Sequence, residues 1–155
     1  MIQRVQSIFL FLIGVCMIAM LFAPIWSKTG IEGEVAKLSA MNLTYQKQTQ
    51  FNSMPTFYIG ILCVISMMLA YTSLFSFKKR MLQIKLNMAN SLVIVSAMLC
   101  CAYLIASKGE AMINGGKGSM GFGIYMPAIA LICNMIANRF IWKDEKLVRS
   151  SNRLR

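Results

Sequence analysis

The chain has no histidine, and only five of its 155 residues are acidic. None of the five falls in a long apolar run. Proton-coupled pumps and small drug exporters need an ionisable group inside the membrane, so that chemistry has no carrier here. A haem or zinc site draws on histidine, carboxylate or spaced thiolates. No such set is offered, so no cofactor and no metal are expected. Glu32 and Glu34 could form a carboxylate pair, but they lie in a polar loop and read as a solvated face. No catalytic residues can be named, and an enzyme is not expected. Disulfide chemistry is also missing. Cys16, Cys63, Cys100, Cys101 and Cys133 all sit in apolar runs, there is no CxxC, and adjacent Cys100 and Cys101 are badly placed for redox pairing. They read as small packing residues.

What is present is apolar surface. Hydrophobic residues make up 57% and charged residues 14% of the chain, with mean hydropathy +0.62. An ordinary soluble domain is about 25% charged, and a small one buries only about two-thirds of its surface. Lipid must therefore solvate much of the chain. Four apolar segments, about 8–26, 55–77, 86–107 and 122–142, are each long enough for one hydrocarbon core. The first is too long for a signal peptide and lacks a small-residue cleavage site, so it is expected to remain as a span, with Trp26 in the outer aromatic belt.

The run Lys78-Lys79-Arg80-Met-Leu-Gln-Ile-Lys85 separates two spans before it from two after it. Positive charge beside a span stays on the cytoplasmic side. With Arg4 and the segment from Arg139 to Arg155, this side holds eleven of the sixteen basic residues, against Lys28, Lys37, Lys47, Lys108 and Lys117 in the other two loops. Both termini are expected in the cytoplasm. The net charge of +11 could suggest nucleic acid, but the topology rule accounts for it more simply.

In the outer loop, Leu43 to Phe51 alternates, with Thr44, Gln46, Gln48 and Gln50 on one face, as a half-exposed strand does. Glu34 to Ser39 could pair with it as a hairpin. Ser53 and Pro55 look like the cap and first turn of the second span. Residues 108–121 are glycine-rich without the spacing of a phosphate loop, and read as a tight turn near that hairpin. The expected fold is therefore an all-α membrane protein: a four-transmembrane-helix bundle with a small extracytoplasmic β-hairpin-like loop and a basic tail, 143–155.

Polar residues within the spans gather on the cytoplasmic side: Asn87, Asn90 and Ser91 in the third, Asn134 and Asn138 in the fourth, Gln3 and Gln6 in the first, and Thr72, Ser73 and Ser76 in the second. They could form a polar vestibule or a docking surface. Interhelical hydrogen bonding is the commoner use of such residues. Ala19 and Ala23, Ser66 and Ala70, and Ala97 and Cys101 are small pairs four apart, suited to close helix contacts within one chain or in a homo-oligomer. The fourteen methionines are scattered, as packing residues are. If the tail stays helical, Arg139, Lys143, Lys146, Arg149 and Arg153 make one stripe. That stripe suits anionic membrane lipid or an acidic partner. It would equally serve as a topology anchor.

Met1-Ile-Gln-Arg-Val-Gln6, Gly121-Phe-Gly-Ile-Tyr-Met-Pro127 and Asn138 to Arg155 resemble the bacterial inner-membrane family catalogued as domain of unknown function 4293, typical of Bacteroidota. The run Lys143-Asp-Glu-Lys-Leu-Val-Arg-Ser150 is the most specific part, and Asn152 departs from the pattern, where Asp is expected. The resemblance implies four spans with both ends inside, and no activity. The function expected is a non-enzymatic accessory or structural membrane subunit whose basic cytoplasmic face binds a protein partner or anionic lipid. The alternative is a small oligomeric channel or transporter.

Overall fold

A computed structural model describes residues 2–30, 33–47, 50–76, 79–111, 113, 116 and 118–152. Four helices account for most of it: α1 (Ile2–Phe22), α2 (Phe57–Phe75), α3 (Arg80–Leu104) and α4 (Tyr125–Asn152). Each packs on the next, and α4 closes back on α1. Three segments, Phe57–Phe75, Arg80–Gly109 and Phe122–Val148, are long and apolar enough to cross a membrane. The apolar part of α1, Gln6–Phe22, is shorter.

The buried stripe of α3 is Gln83, Asn87, Asn90, Ile94, Ala97, Cys101 and Leu104. These positions recur every three or four residues, which is one face of a helix. Beyond the ring, Leu92, Leu99, Met88, Ile61 and Met68 point outward and are largely exposed. An apolar exterior around a polar-centred interior is the pattern that a lipid solvent permits. Ser66 with Ala70, and Ala97 with Cys101, are buried between helices of the same chain. Cys63 Sγ lies 3.5 Å from Met20 Sδ in the packed interior, and all five cysteines are free.

The loops between the helices build more than a hairpin. Strands β1 (Trp26–Thr29), β2 (Val35–Leu38), β3 (Asn42–Lys47), β4 (Gln50–Pro55) and β5 (Gly118–Met120) form one antiparallel sheet in the order β4-β3-β2-β1-β5. The expected pairing of residues 34–39 with the strand from Leu43 is present as its centre, β2 with β3, but that strand does not run to Phe51: Gln50 and Phe51 belong to β4 and pair back with Lys47 and Gln46. The sheet caps the ends of the helices through Ile25, Trp26, Ala36, Leu38 and Leu43, all buried.

This sheet corrects two sequence expectations. Trp26 is not in an exposed belt. It is 3% exposed, with its ring against Gly109 and Gly118, because β5 and the end of α3 cover it. Ser53 and Pro55 do not open α2. They extend β4, an edge strand where proline's missing N–H costs no ladder bond. Thr56 then precedes the helix, with its N–H donating to Met41 O (2.8 Å) and its hydroxyl to Ser39 O (3.2 Å). The third expected span, about 86–107, lies within the helix that runs from Arg80 to Leu104 and the π-helical turn Ile105–Gly109 that ends it.

Two contacts tie the sheet together. Lys28 Nζ donates to Ile113 O (3.0 Å) and Glu110 O (3.4 Å), so this lysine holds the second loop. Glu34, 9% exposed, forms an ion pair with Lys47 on β3. The Lys47 hydrogen bond, aided by one from Tyr45, holds the Glu34 carboxyl below its usual range. A carboxylate with a depressed folded-state pKa stabilises above its unfolded value, about 4.3, and that contribution disappears as pH falls through the lower folded value. Acidification below about pH 4 is therefore expected to loosen β2 from β3. Amide exchange of Val35 and Lys37, whose N–H groups face β3, should accelerate there, and a Glu34→Gln variant should lose that acid-specific step.

Candidate functional site

Two polar groupings stand out. They meet at the end of the helices away from the sheet, the basic end. The first is interior. Asn87 and Asn90 are fully buried and Asn134 is 1% exposed. Ser73 on α2 donates its hydroxyl to Asn87 Oδ1 (2.7 Å), and Ser66 donates to Asn90 Oδ1 (2.6 Å). Asn134 on α4 donates through Nδ2 to Asn87 O and to Ser91 Oγ, both at 2.8 Å. Gln83 Nε2 donates to Ser73 O at 3.0 Å. The amides thus join α2 to α3 and α3 to α4, at positions where an unpaired polar group would cost about 1–3 kcal/mol. Capacity is left over. Asn87 Nδ2, Asn90 Nδ2, Asn134 Oδ1 and Asn138 Oδ1 are buried with no hydrogen-bond partner. Toward the sheet, the interior turns apolar at Ile94, Ala97, Cys101, Ile59 and Cys63.

The second grouping is the projecting end of α4. The helix runs unbroken to Asn152, so residues 139–152 are a continuation of the fourth helix. Its packed face carries Ala130, Cys133, Asn134, Ala137 and Ile141. Arg139, Lys143 and Lys146 are exposed on the opposite side, as about 100° per residue requires. Asp144 faces α3 instead. Its Oδ2 lies 3.2 Å from Arg80 Nη2, and its carbonyl accepts from Arg80 Nη1 at 3.2 Å. The acid is therefore neutralised inward, while the outward face keeps its positive charge. Arg149 belongs to the same helix, and Arg153 lies outside the described residues.

Between these groupings, α4 presents a groove of about 850 Å³ lined by Met135, Ile136, Asn138, Arg139, Phe140, Trp142 and Lys143. Phe140 stacks on Phe9 of α1, with centroids 6.0 Å apart, which fixes one wall. Trp142 is 57% exposed at the other. Asn138 is half-buried here and does not join the buried hydrogen bonds of Asn87, Asn90 and Asn134.

Residues 2–154, essentially the whole chain, match the family described as a domain of unknown function, DUF4293. The chain belongs to that family. No curated protein matches it. Among the described residues no group of three or more histidine, cysteine or acidic side chains could hold a metal.

Sequence reasoning missed two members of the interior layer of this DUF4293 protein. Ser66 reads as a small contact residue beside Ala70, yet it is a hydrogen-bond donor to Asn90. Gln83 sits among basic residues and looks like loop, yet it is 2% exposed. Its spacing of four and seven residues from Asn87 and Asn90 would have revealed it, had the helix been extended by one turn.

Proposed function

We propose that this chain is a multi-pass protein of a bacterial inner membrane, in which all four helices cross the bilayer as one bundle. The sheet lies outside, and the basic end and both termini lie in the cytoplasm. Its role is non-enzymatic: an accessory or structural subunit whose basic end is a binding face. The observation that carries this reading is the charge arrangement on α4. Arg139, Lys143 and Lys146 point away from the helix packing, while Asp144 is paired inward with Arg80. A stripe needed only for topology would duplicate what Lys78, Lys79, Arg80 and Lys85 already supply. The spare amides of Asn87, Asn90 and Asn134 favour a second reading, a small oligomeric channel or transporter, but the apolar half toward the sheet argues against a continuous polar path within one chain.

Reporter fusions test the placement. Fusions after residues 80 and 155 should be active only in the cytoplasm, and fusions near 40 and 115 only outside. The reverse pattern would overturn the orientation. The binding role is tested by Lys146→Glu with Arg149→Glu. Exposed charges contribute little to folding, so insertion and thermal stability should hardly change. A mild-detergent pull-down should lose its co-purifying protein, and the wild type should lose it progressively as salt rises. If the reversed protein keeps every partner and complements a deletion strain, the tail is a topology anchor.

A further inference from the structure

We propose that the outward groove of α4 is a binding site for one anionic phospholipid, whose phosphate is held by Arg139 and Lys143. The inference rests on the membrane placement proposed above and names the ligand of that basic end. The two cations lie one helical turn apart on the exposed face, so both can reach one phosphate. Trp142, exposed at the groove's edge, offers an indole N–H and an amphipathic ring of the kind found at headgroup level. Toward the sheet, Met135 and Ile136 continue the groove as an apolar track suited to an acyl chain. The positive charge of Arg139 and Lys143 points to an anionic headgroup, such as phosphoglycerol, over a zwitterionic choline headgroup. Direction also favours lipid over a soluble protein here: the groove opens sideways from the helix packing, where bilayer lies, and the stripe reaches past it only from Lys146 onward.

The test uses the full chain in nanodiscs of phosphatidylcholine containing a small fraction of phosphatidylglycerol, with bound lipid read by native mass spectrometry after gentle release. The wild type should retain about one phosphatidylglycerol in preference to phosphatidylcholine. Arg139→Gln and Lys143→Gln should each weaken retention about fivefold, and the pair about 25-fold. Lys37→Gln removes one charge at the sheet end and should change nothing. Equal retention of choline and glycerol lipids by the wild type, or full retention by the double variant, would overturn the site. So would an Arg139-dependent protein partner that co-purifies without lipid. Carbonate extraction separates the two levels: a chain washed off membranes defeats the membrane placement, whereas an inserted chain without lipid preference defeats only the groove.

Discussion

Gly121→Val should nearly abolish folded protein, whereas Gly33→Ala should cost about 1 kcal/mol. The two glycines are needed for opposite reasons. Gly121 has an ordinary extended backbone, φ −79° and ψ 168°, so nothing in its conformation demands glycine. Its surroundings do. It donates its N–H to Ile25 O (2.9 Å), and a Cβ placed on it would lie 2.1 Å from Pro24 O and 2.8 Å from Pro24 C. Those atoms are backbone and cannot rotate away. The crossing where the chain passes from β5 toward α4 over the α1–β1 link must therefore open. Overpacking ordinarily costs about 1–3 kcal/mol, and a clash with rigid backbone belongs at or above the top of that range. Gly33 has φ +76°, and a methyl group added to it would meet nothing within 4 Å, so alanine there meets only the left-handed backbone penalty. Monodisperse yield and thermal midpoint in one detergent would compare them. Equal, mild effects would mean that the crossing is looser than described.

Asn87→Asp is the second large effect, and its sign depends on pH. Asn87 is fully buried, accepts from Ser73 through Oδ1, and has its carbonyl taken by Asn134 and Ser91. A neutral carboxylic acid fits that space and those donors. An ionised one would sit fully buried between the helices, where the cost approaches the roughly 2.5–3.5 kcal/mol of a membrane-central charge. Folding therefore favours the protonated acid, whereas the unfolded chain gives up its proton at about pH 3.9. The folded state holds the proton longer, so stability is greatest below about pH 4, where both states are protonated, and falls as pH rises above it. The variant should match wild type near pH 4 and unfold at a much lower temperature at pH 8. Asn87→Leu, which loses the Ser73 bond without adding charge, should be destabilised by about 1–2 kcal/mol, independent of pH. A pH-independent Asn87→Asp would mean that water reaches this layer freely.

The helices were legible because apolar runs and flanking basic residues are strong, local signals. Asn87, Asn90 and Asn134 could be singled out in the sequence as polar residues inside apolar runs, but Asn138, one turn from Asn134, looks the same there and yet stays outside their hydrogen bonds. Their partners were harder, since a serine that donates and a serine that merely packs look alike in sequence. The sheet was half hidden. β2 and β3 carry buried Leu38 and Leu43, but every residue of β4 and β5 is exposed, so neither strand shows the alternation that marks one. Pro55 added a false helix start, and the mistake over Trp26 followed directly from the missing sheet above it. The basic stripe of α4 follows from the helical repeat. The inward pairing of Asp144 does not, because it depends on where α3 begins.

The strand order sets a timetable. A chain released from its N-terminus has four of the five strands available once Pro55 is out, already in their final neighbour sequence. The last, Gly118–Met120, arrives after two further helices have been made, and it takes the vacant edge beside Trp26–Thr29. Its docking also puts Gly121 under Ile25 and the start of the fourth helix against the first. The sheet thus acts as a latch, thrown only after the third helix has been made. A chain cut between its second and third helices should still be reassembled from its two halves by this three-residue strand and the helix that follows it.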